Sequence, residues 1–471
     1  MKTDNSNLTK EQLRRQKRKK EQRKAFALLA GVIFVLLAVI GAGVFGVVTY
    51  MNNKASAEAE EAAATQEVTE TVDIGLDELT EIEEPDESEP VIKTPSVSED
   101  SISENEVEVK ELTEEDKLKI LDEQIERYIS GMTVEQKVAG LFFVTTDQLV
   151  GKKDLKIAGS ETDTALREYP VGGILLTADN FEEKEQLKNL TFNIRSMASN
   201  EIFIGVKDPG GSESPFQVKE LEEVPYASQA EIGGSTDNSV AYTAGIDMGN
   251  ILNEYGINTQ IGPLTDIATA GSIYEKDSYG DDPENVRGMV RNMVRGLEDK
   301  EINVCPYFFP GYGDIKSDPA GTRPVSSRSR EDIEEKEYPM YRDCVNSGVE
   351  FIMVSQVNYK SVVNDETPAC LSNEFIDKML REDLEFNGIV ITDFLNTKSL
   401  VMHYKHADMA VMAVKAGADM LMCPGDFKKA YNGVLDAVKS GDISEERIDE
   451  SLKRIYRVKY ANLIDYKAAT Q

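Results

Sequence analysis

The sequence predicts an α/β protein whose main domain is a (β/α)8 barrel of the TIM type. Eight short apolar segments recur between residues 141 and 423, separated by stretches with helical spacing of apolar residues. These segments are continuously apolar, which is typical of strands buried on both faces of a parallel sheet. Eight β/α units in one stretch favour a closed barrel over a doubly wound sheet. The predicted strands are LFFVT (141–145), VGGILL (171–176), IFIGV (202–206), INTQIG (257–262), INVCPYF (302–308), VEFIMVS (349–355), GIVIT (388–392) and ADMLMC (418–423).

Helix-capping signals place the first and last helices of this domain. Thr113 is a candidate N-cap for a helix whose apolar residues follow helical spacing. Thr133 and Gln136 form a capping box for a second helix. Ser444 begins the predicted last helix, at about residues 444–460. The apolar positions of the first helix are Leu118, Leu121, Ile125, Tyr128 and Ile129.

An uncharged segment near the N-terminus predicts a transmembrane helix. Residues 25–51 contain no charged side chain, and they are long enough to cross about 30 Å of hydrocarbon. Residues 1–24 carry ten Lys and Arg against three Asp and Glu, so the positive-inside rule predicts a basic cytoplasmic tail. We therefore expect a single-pass protein of the cell membrane, with its barrel outside the cell.

A cleaved signal peptide is the alternative reading of the same segment. Ala55-Ser56-Ala57 has the small-x-small pattern of a cleavage site. The apolar core of a signal peptide is usually only about 7–15 residues long, however, and this segment is longer. Its length favours an uncleaved anchor, while cleavage after Ala57 stays open.

Residues 52–114 are predicted to be a disordered acidic stalk. The stretch 55–116 carries 23 Asp and Glu against two Lys, and it has few aromatic residues. Such a segment buries too little apolar surface to offset its ordering entropy, and its like charges repel. As a flexible coil it would reach about 45 Å. We expect it to hold the barrel, residues 115–471, away from the membrane.

Charge and cysteine usage exclude several classes of function. The formal net charge of −33 disfavours nucleic-acid binding, because proteins of that class present basic patches. The cysteines are far apart and lack metal-ligand spacing, so buried free thiols are expected, although an exported protein permits pairing. No motif indicates a metal or a cofactor, and nothing identifies a protein partner. The cysteines are Cys305, Cys344, Cys370 and Cys423.

Nine segments, taken in order, resemble the N-terminal barrel of family 3 glycoside hydrolases of the β-N-acetylhexosaminidase type. The resemblance covers roughly residues 115–471, and it rests on the whole set because each motif alone is weak. It implies a barrel that cleaves or binds amino-sugar β-glycosides, such as peptidoglycan-type glycans. The segments are MTVEQKVAGLFFV (132–144), EYPVGGILL (168–176), AYTAGIDMGNILNEYGINTQIGPLTDI (241–267), SYGDDPENV (278–286), FPGYGD (309–314), PACLS (368–372), FNGIVITDFLNTKSL (386–400), AGADMLMCP (416–424) and ISEERIDESLKRI (443–455).

The resemblance assigns roles to three aspartates. Asp393, which ends the seventh predicted strand, matches the family's nucleophile, and a retaining glycosidase needs a carboxylate there. The alternative is that Asp393 caps the next helix. Asp208, in KDPGG, matches a sugar-hydroxyl-binding Asp, and stabilisation of the loop turn is its alternative. Asp266 matches a residue that we interpret as structural.

The general acid/base motif of the family is incomplete. Asp318 stands at the Asp position of the expected Asp-His pair, but Ala320 occupies the His position and carries no proton. Tyr307-Phe308 replaces the family's sugar-binding Lys-His. Tyr307 remains a candidate substrate-binding residue through stacking, and filling of the vacated space is its alternative. Further departures are Ser212, Asp277, Tyr312 and Gln356.

Two hypotheses of function follow from this pattern. The chain has only two histidines, His403 and His406, which we predict to lie on one face of the helix after the seventh strand, away from the acid position. Either the barrel is a glycosidase with Asp393 as nucleophile and Asp318 or another carboxylate as acid, or it is a catalytically dead surface glycan-binding or scaffold module. Loss of a positioned acid costs about 10²–10⁴-fold in rate, which favours impaired activity.

Overall fold

The computed structural model describes residues 113–317 and 321–461. The predicted cytoplasmic tail, the transmembrane helix and nearly all of the stalk lie outside these ranges and stay predictions. Within the ranges, no helix combines the length and the apolar character needed to cross a membrane.

The strands of the described region form a nearly closed parallel barrel. Eight strands pair in the order β10-β1-β2-β3-β4-β5-β7-β9, and every pairing is parallel. A parallel bridge between Ile391 and Met420 joins the two ends of this order. The strands are β1 (Phe142–Thr145), β2 (Gly173–Leu176), β3 (Phe203–Val206), β4 (Thr259–Leu264), β5 (Asn303–Phe309), β6 (Val325–Ser326), β7 (Phe351–Val354), β8 (Asn358–Tyr359), β9 (Ile389–Thr392) and β10 (Leu421–Met422).

The strand order and the parallel pairing confirm the predicted α/β barrel. Each of the eight predicted apolar segments overlaps one barrel strand, although β4 and β5 extend beyond the predicted ends, and each barrel strand is nearly or fully buried. The sequence did not predict β6 and β8, which pair with each other outside the barrel. They are two residues each, too short to produce a periodic pattern.

Helices follow the strands, as β/α units require. Glu374–Asp383 is a π-helix. The longer helices are Glu114–Ser130, Ser160–Glu168, Lys184–Met197, Ser239–Glu254, Pro283–Glu298, Tyr338–Ser347, His406–Lys415, Phe427–Lys439 and Glu445–Tyr460. The shorter helices are Val134–Ala139, Thr146–Val150, Pro215–Val218, Gln229–Gly233, Arg330–Lys336 and Lys398–Val401, and 3-10 turns occur at Ala178–Asn180, Gly211–Glu213 and Ala369–Leu371.

The predicted helix starts are confirmed. Thr113 and Thr133 each begin a helix with a capping box. The Ser444 side chain accepts a hydrogen bond from Arg447 N at 3.2 Å and caps the last helix. These caps satisfy backbone N–H groups that lack a partner within the helix.

The apolar face of the first helix is narrower than its spacing predicts. Leu121, Ile125 and Ile129 are buried, but Leu118 is 56% exposed and Tyr128 is 39% exposed. Tyr128 instead packs edge-on at the surface, with its ring centroid 5.1 Å from that of Tyr456. The spacing of apolar residues within one helix does not show how wide the surface is against which that helix packs.

All four cysteines are free and buried, as expected. They are Cys305, Cys344, Cys370 and Cys423, and burial raises the pKa of each thiol. Thiols that keep their protons in an apolar environment are poor nucleophiles. The cysteines therefore serve as core residues.

A buried aspartate holds the barrel together where β9 meets β10. Asp419 is fully buried, and its Oδ2 accepts a hydrogen bond from Val390 N at 2.9 Å. Burial alone would raise the pKa of Asp419, but the charges of Arg381, Arg454 and Arg447 lower it below its usual value. Arg454 Nη1 lies 3.0 Å from Asp419 Oδ1. This one carboxylate therefore links both strands, the π-helix and the last helix.

Aromatic rings and one lysine pack together near the amino-terminal ends of the barrel strands. The Phe203 ring is stacked at 6.5 Å from that of Phe143 and packs edge-on at 5.0 Å against that of Phe351. Lys459, from the last helix, places its Nζ 4.9 Å from the centroid of the Phe203 ring. Burial lowers the pKa of Lys459 to about 7, and only the charge of Glu201 opposes this effect.

Replacing Lys459 with Met is expected to stabilise the fold by about 1–3 kcal/mol near pH 7. Because the pKa of Lys459 is lower in the folded chain, unfolding takes up a proton between pH 10.5 and about 7. As the pH falls from 10.5 to about 7, the folded chain becomes less stable, because an ammonium group is favoured in the unfolded chain and disfavoured in the folded one. Met carries no charge at any pH, so the Lys459→Met chain does not lose this stability. Chemical denaturation of both chains between pH 6 and 10 measures the difference.

The matched control is Lys119→Met, at an exposed position of the first helix. A gain for Lys119→Met equal to that for Lys459→Met would contradict the account, as would a gain at position 459 that does not vary with pH.

Candidate active site

Polar side chains from three strands meet at the carboxyl-terminal end of the barrel. Asp393 follows β9, Lys207 and Asp208 follow β3, and Tyr307 lies near the end of β5. Active sites of barrels of this architecture form at this end. The structure therefore brings Asp393, Asp208 and Tyr307 to the end where chemistry is expected.

Asp393 is 2% exposed, and its carboxylate accepts four hydrogen bonds. Oδ2 accepts from Tyr312 Oη at 2.6 Å, from Gln356 N at 3.2 Å and from Gln356 Nε2 at 3.3 Å. The fourth donor, Phe394 N, lies 2.7 Å from Oδ1. Burial raises the pKa of Asp393 above its usual value, and the hydrogen bonds lower it only in part. Three donors therefore hold Oδ2 in place, while Oδ1 is less engaged.

Gln356 connects Asp393 to the segment after β9, where the helix Lys398–Val401 begins. Its Oε1 accepts hydrogen bonds from Thr397 Oγ1 and Ser399 Oγ, both at 2.6 Å. These bonds orient the amide so that Nε2 faces Asp393. The network limits the rotation of the Asp393 carboxylate.

Asp208 lies in a closed hydrogen-bond network of its own loop. Its Oδ1 accepts from Gly210 N at 2.8 Å, and its Oδ2 accepts from Ser214 Oγ at 2.9 Å and Tyr226 Oη at 2.6 Å. The residue is 3% exposed, and burial raises the pKa of its carboxyl group. This arrangement fits the turn-stabilising alternative, and the sugar-binding role of Asp208 stays a prediction.

Tyr307 belongs to a cluster of aromatic rings next to Asp393. Its ring centroid lies 4.6 Å from that of Phe308, which lies 4.8 Å from that of Tyr312 and 5.6 Å from that of Tyr274. Tyr307, Phe308 and Tyr312 are each less than 5% exposed. The rings therefore fill space against one another, and stacking of a sugar on Tyr307 stays a prediction.

Asp266 holds the turn that carries Tyr312. Its Oδ1 accepts from Tyr312 N at 2.5 Å. A Cβ at Gly311 would lie 2.6 Å from this oxygen, and φ there is +142°, so only glycine fits. Burial and the neighbouring Glu337 raise the pKa of Asp266 well above its usual value. This position supports the structural interpretation of Asp266.

Lys207 adds a positive charge to the same end of the barrel. Its Nζ lies 4.9 Å from the centroid of the Tyr307 ring. Burial lowers the pKa of Lys207, and the charges of Asp393, Asp277 and Glu213 oppose this effect.

Comparison with known families decides what kind of barrel carries this site. The model of the family described as "Glycosyl hydrolase family 3 N terminal domain" matches residues 133–458, which include all eight barrel strands. The chain belongs to glycosyl hydrolase family 3. The resemblance inferred from its motifs is thereby confirmed.

Two curated relatives of this family 3 chain carry the same name. The chain is 27% identical over 296 residues to a protein called "Beta-hexosaminidase" from Tolumonas auensis, covering 62% of this chain and 87% of that one. It is likewise 27% identical over 268 residues to a "Beta-hexosaminidase" from Neisseria meningitidis serogroup B, covering 56% and 73%.

Solved structures agree with the fold of the family 3 chain. A family 3 β-N-acetylglucosaminidase from Paenibacillus sp. is 29% identical, with a TM-score of 0.65, and the match covers 70% of this chain and 63% of that one. The family 3 chain thus spans less than two thirds of that protein. A β-N-acetylhexosaminidase from Beutenbergia cavernae, 20% identical with a TM-score of 0.60, supports the fold alone.

The residues at the family's general acid/base position lie outside the part of the chain that the structure describes. Asp318 and Ala320 lie in the segment 318–320, outside the described residues, so the role of Asp318 stays a prediction. The two histidines line a groove with residues of the helix Phe427–Lys439, and Asp393 does not belong to this groove. The helix there begins at His406, so the prediction that His403 lies on it was wrong. His403 occupies the preceding turn.

Sequence reasoning missed Lys207 as a residue of the site. The signal was present, because Lys207 is the first residue after β3, within the quoted KDPGG motif. The rule that strand-end residues face the site applies to Lys207 as it does to Asp208. The family resemblance assigns a role to Asp208 alone in this motif.

Proposed function

We propose that this family 3 chain is a membrane-anchored cell-surface glycosidase that cleaves β-linked amino sugars, with Asp393 as its nucleophile. The proposal rests mainly on one observation: a buried, hydrogen-bonded carboxylate at the end of β9, at the position of the family's nucleophile. Relatives named Beta-hexosaminidase support an amino sugar as the substrate.

The proposed reaction has two steps and retains the anomeric configuration. Asp393 Oδ1 attacks the anomeric carbon and forms a glycosyl ester, while the glycosidic oxygen leaves with the bonding electron pair and takes up a proton. Water then attacks the same carbon, loses a proton and releases the Asp393 carboxylate. Oδ1 is the candidate oxygen because Tyr312 and Gln356 hold Oδ2.

Supply of the proton limits the first step in this proposal. Asp318 or another carboxylate provides it, since Ala320 stands at the position of the expected histidine. A glycoside whose leaving group departs without a proton bypasses this limit. We therefore expect slow turnover of natural glycosides and faster turnover of activated ones.

The anchor is part of the proposal. Residues 25–51 hold the chain in the cell membrane, residues 1–24 remain in the cytoplasm, and residues 52–114 carry the barrel outside. The test is protease treatment of intact cells that express the full chain. Release of the barrel, with a protected N-terminal fragment left in the membrane fraction, supports the arrangement, and a fully soluble mature chain supports cleavage after Ala57.

A second candidate function is glycan binding without cleavage, as a surface or scaffold module. It is favoured by the departures from the family's motifs, in which Ala320 stands at the position of the expected histidine and Tyr307-Phe308 at the position of the expected Lys-His. A barrel without these groups can still bind a glycan through the carboxylates that it keeps.

Release of the aryl group from activated β-N-acetylglucosaminides tests the proposed function. We expect measurable turnover of these compounds by the full chain, and less turnover of the matched β-glucosides. Binding of chitin or cell-wall fragments without hydrolysis of any activated glycoside would establish the second candidate instead.

A further inference from the structure

Lys207 is a cation at the barrel mouth that the proposed cleavage does not use. It is partly buried and directly follows β3. Its Nζ packs over the Tyr307 ring at 4.9 Å. Among residues 113–317 and 321–461, no carboxylate oxygen lies within 4.0 Å of this nitrogen. Within these ranges the partly buried ammonium thus has no carboxylate partner, and its nitrogen packs against the aromatic ring.

Such an arrangement is costly unless a ligand completes it. Burial disfavours the charged ammonium, and this effect lowers the pKa of Lys207. A face of an aromatic ring offers the ammonium attraction but no lone pair. An oxygen atom of a bound molecule would supply the missing acceptor.

The surrounding charges indicate what kind of molecule fits. The charges of Asp393, Asp277 and Glu213 all favour the ammonium form of Lys207, so acidic side chains outnumber basic ones among the charges that act on it. This excess of negative charge disfavours an anionic ligand. A neutral sugar fits better, because a hydroxyl group accepts from the ammonium and donates to a carboxylate at the same time.

We propose that Lys207 is a saccharide-binding residue, whose ammonium donates hydrogen bonds to a hydroxyl or amide oxygen of a neutral amino sugar bound next to Asp393. This inference rests on the proposed function for the identity of the sugar but not for its cleavage. Under the opposing view, Lys207 only packs on Tyr307 and touches no ligand.

Calorimetric titration of the full chain in detergent with N-acetylglucosamine tests the inference. This monosaccharide has no glycosidic bond, so hydrolysis does not interfere. Lys207→Met is expected to weaken the affinity about 10- to 100-fold, as loss of a hydrogen bond to a charged group does. Lys207→Arg keeps the charge and several donors, and it should retain more of the affinity than Lys207→Met.

The matched control is Lys276→Met, at an exposed lysine next to Asp277 in the chain. It changes the net charge near the site by the same amount and should leave the affinity unchanged. Equal weakening by Lys276→Met would indicate a long-range charge effect and overturn the assignment.

The pH dependence of binding provides a second readout. As the pH rises, the Lys207 ammonium loses its proton and the affinity for the sugar should decrease. Because burial lowers the pKa of Lys207, this decrease should begin below the usual lysine pKa of 10.5, and the Lys207→Arg chain should not show it. The other titratable groups that face Lys207 are Asp393, Asp277, Glu213 and Tyr307, and burial raises the pKa of Tyr307 so that it keeps its proton.

The outcomes separate this inference from the proposed function. Sugar binding that depends on Lys207, without hydrolysis of any glycoside, supports the inference and rejects the glycosidase. Wild-type affinity in a correctly folded Lys207→Met chain overturns the inference, and it leaves the glycosidase standing if aryl glycosides are still cleaved. Absence of sugar binding by the unaltered chain also overturns it.

Discussion

Asp393→Asn is expected to reduce kcat/KM for an activated aryl β-N-acetylglucosaminide by about 10³-fold or more. An amide nitrogen or oxygen does not form the glycosyl ester that the carboxylate forms. The change is isosteric, so Tyr312 and Gln356 still have an oxygen to which they can donate. Initial rates with a dinitrophenyl glycoside measure the effect.

The fold should tolerate this substitution. Burial raises the pKa of Asp393, so its ionised form is disfavoured in the folded chain, and a neutral amide removes that cost. The amide nitrogen cannot accept from Phe394 N, which offsets this gain, so the unfolding temperature of Asp393→Asn should stay close to that of the unaltered chain. Asp408→Asn, at an exposed position, is the control that should change neither activity nor stability. Unchanged turnover in Asp393→Asn would exclude Asp393 as the nucleophile.

The rate of glycoside cleavage is expected to depend strongly on the pKa of the leaving alcohol. Positioned proton donation contributes about 10²–10⁴-fold in typical enzymes, so alkyl N-acetylglucosaminides should react slower than dinitrophenyl ones by at least this factor. The reason is the replacement of the expected histidine by Ala320. A plot of log kcat/KM against the pKa of the leaving alcohol should have a steep negative slope.

Restoring the imidazole provides the complementary variant. Ala320→His should raise the rate for alkyl glycosides and flatten the slope, with little effect on dinitrophenyl glycosides. A flat slope in the unaltered chain would show that another group, such as Asp318, already donates the proton efficiently.

Local sequence patterns predicted the barrel well because its strands are continuously apolar and its helices carry strong caps. The eight strands and the capping residues Thr113, Thr133 and Ser444 depend on neighbours a few residues away. The cluster around Asp419 was not predictable in this way, because Arg381 and Arg454 lie 38 and 35 residues away in the chain. Such contacts exist only once the barrel closes.

The sequence predicted which residue lies at the strand end in the candidate site, but not which side chains surround it. The motif placed Asp393 at the end of a strand, as the structure does. Its hydrogen-bond partners Tyr312 and Gln356 lie 81 and 37 residues away, so their contact with the carboxylate depends on the fold. The position of Lys207 against Tyr307 depends in the same way on the packing of β3 near β5.

Trapping of the glycosyl ester tests the central claim most directly. A fluorinated N-acetylglucosaminyl donor with a good leaving group, incubated with the full chain, should leave one sugar attached to the peptide that contains Asp393, as detected by mass spectrometry. The Asp393→Asn chain should remain unlabelled. Attachment of the sugar to a different carboxylate, such as Asp208, or unlabelled protein despite cleavage of the donor, would contradict the role of Asp393.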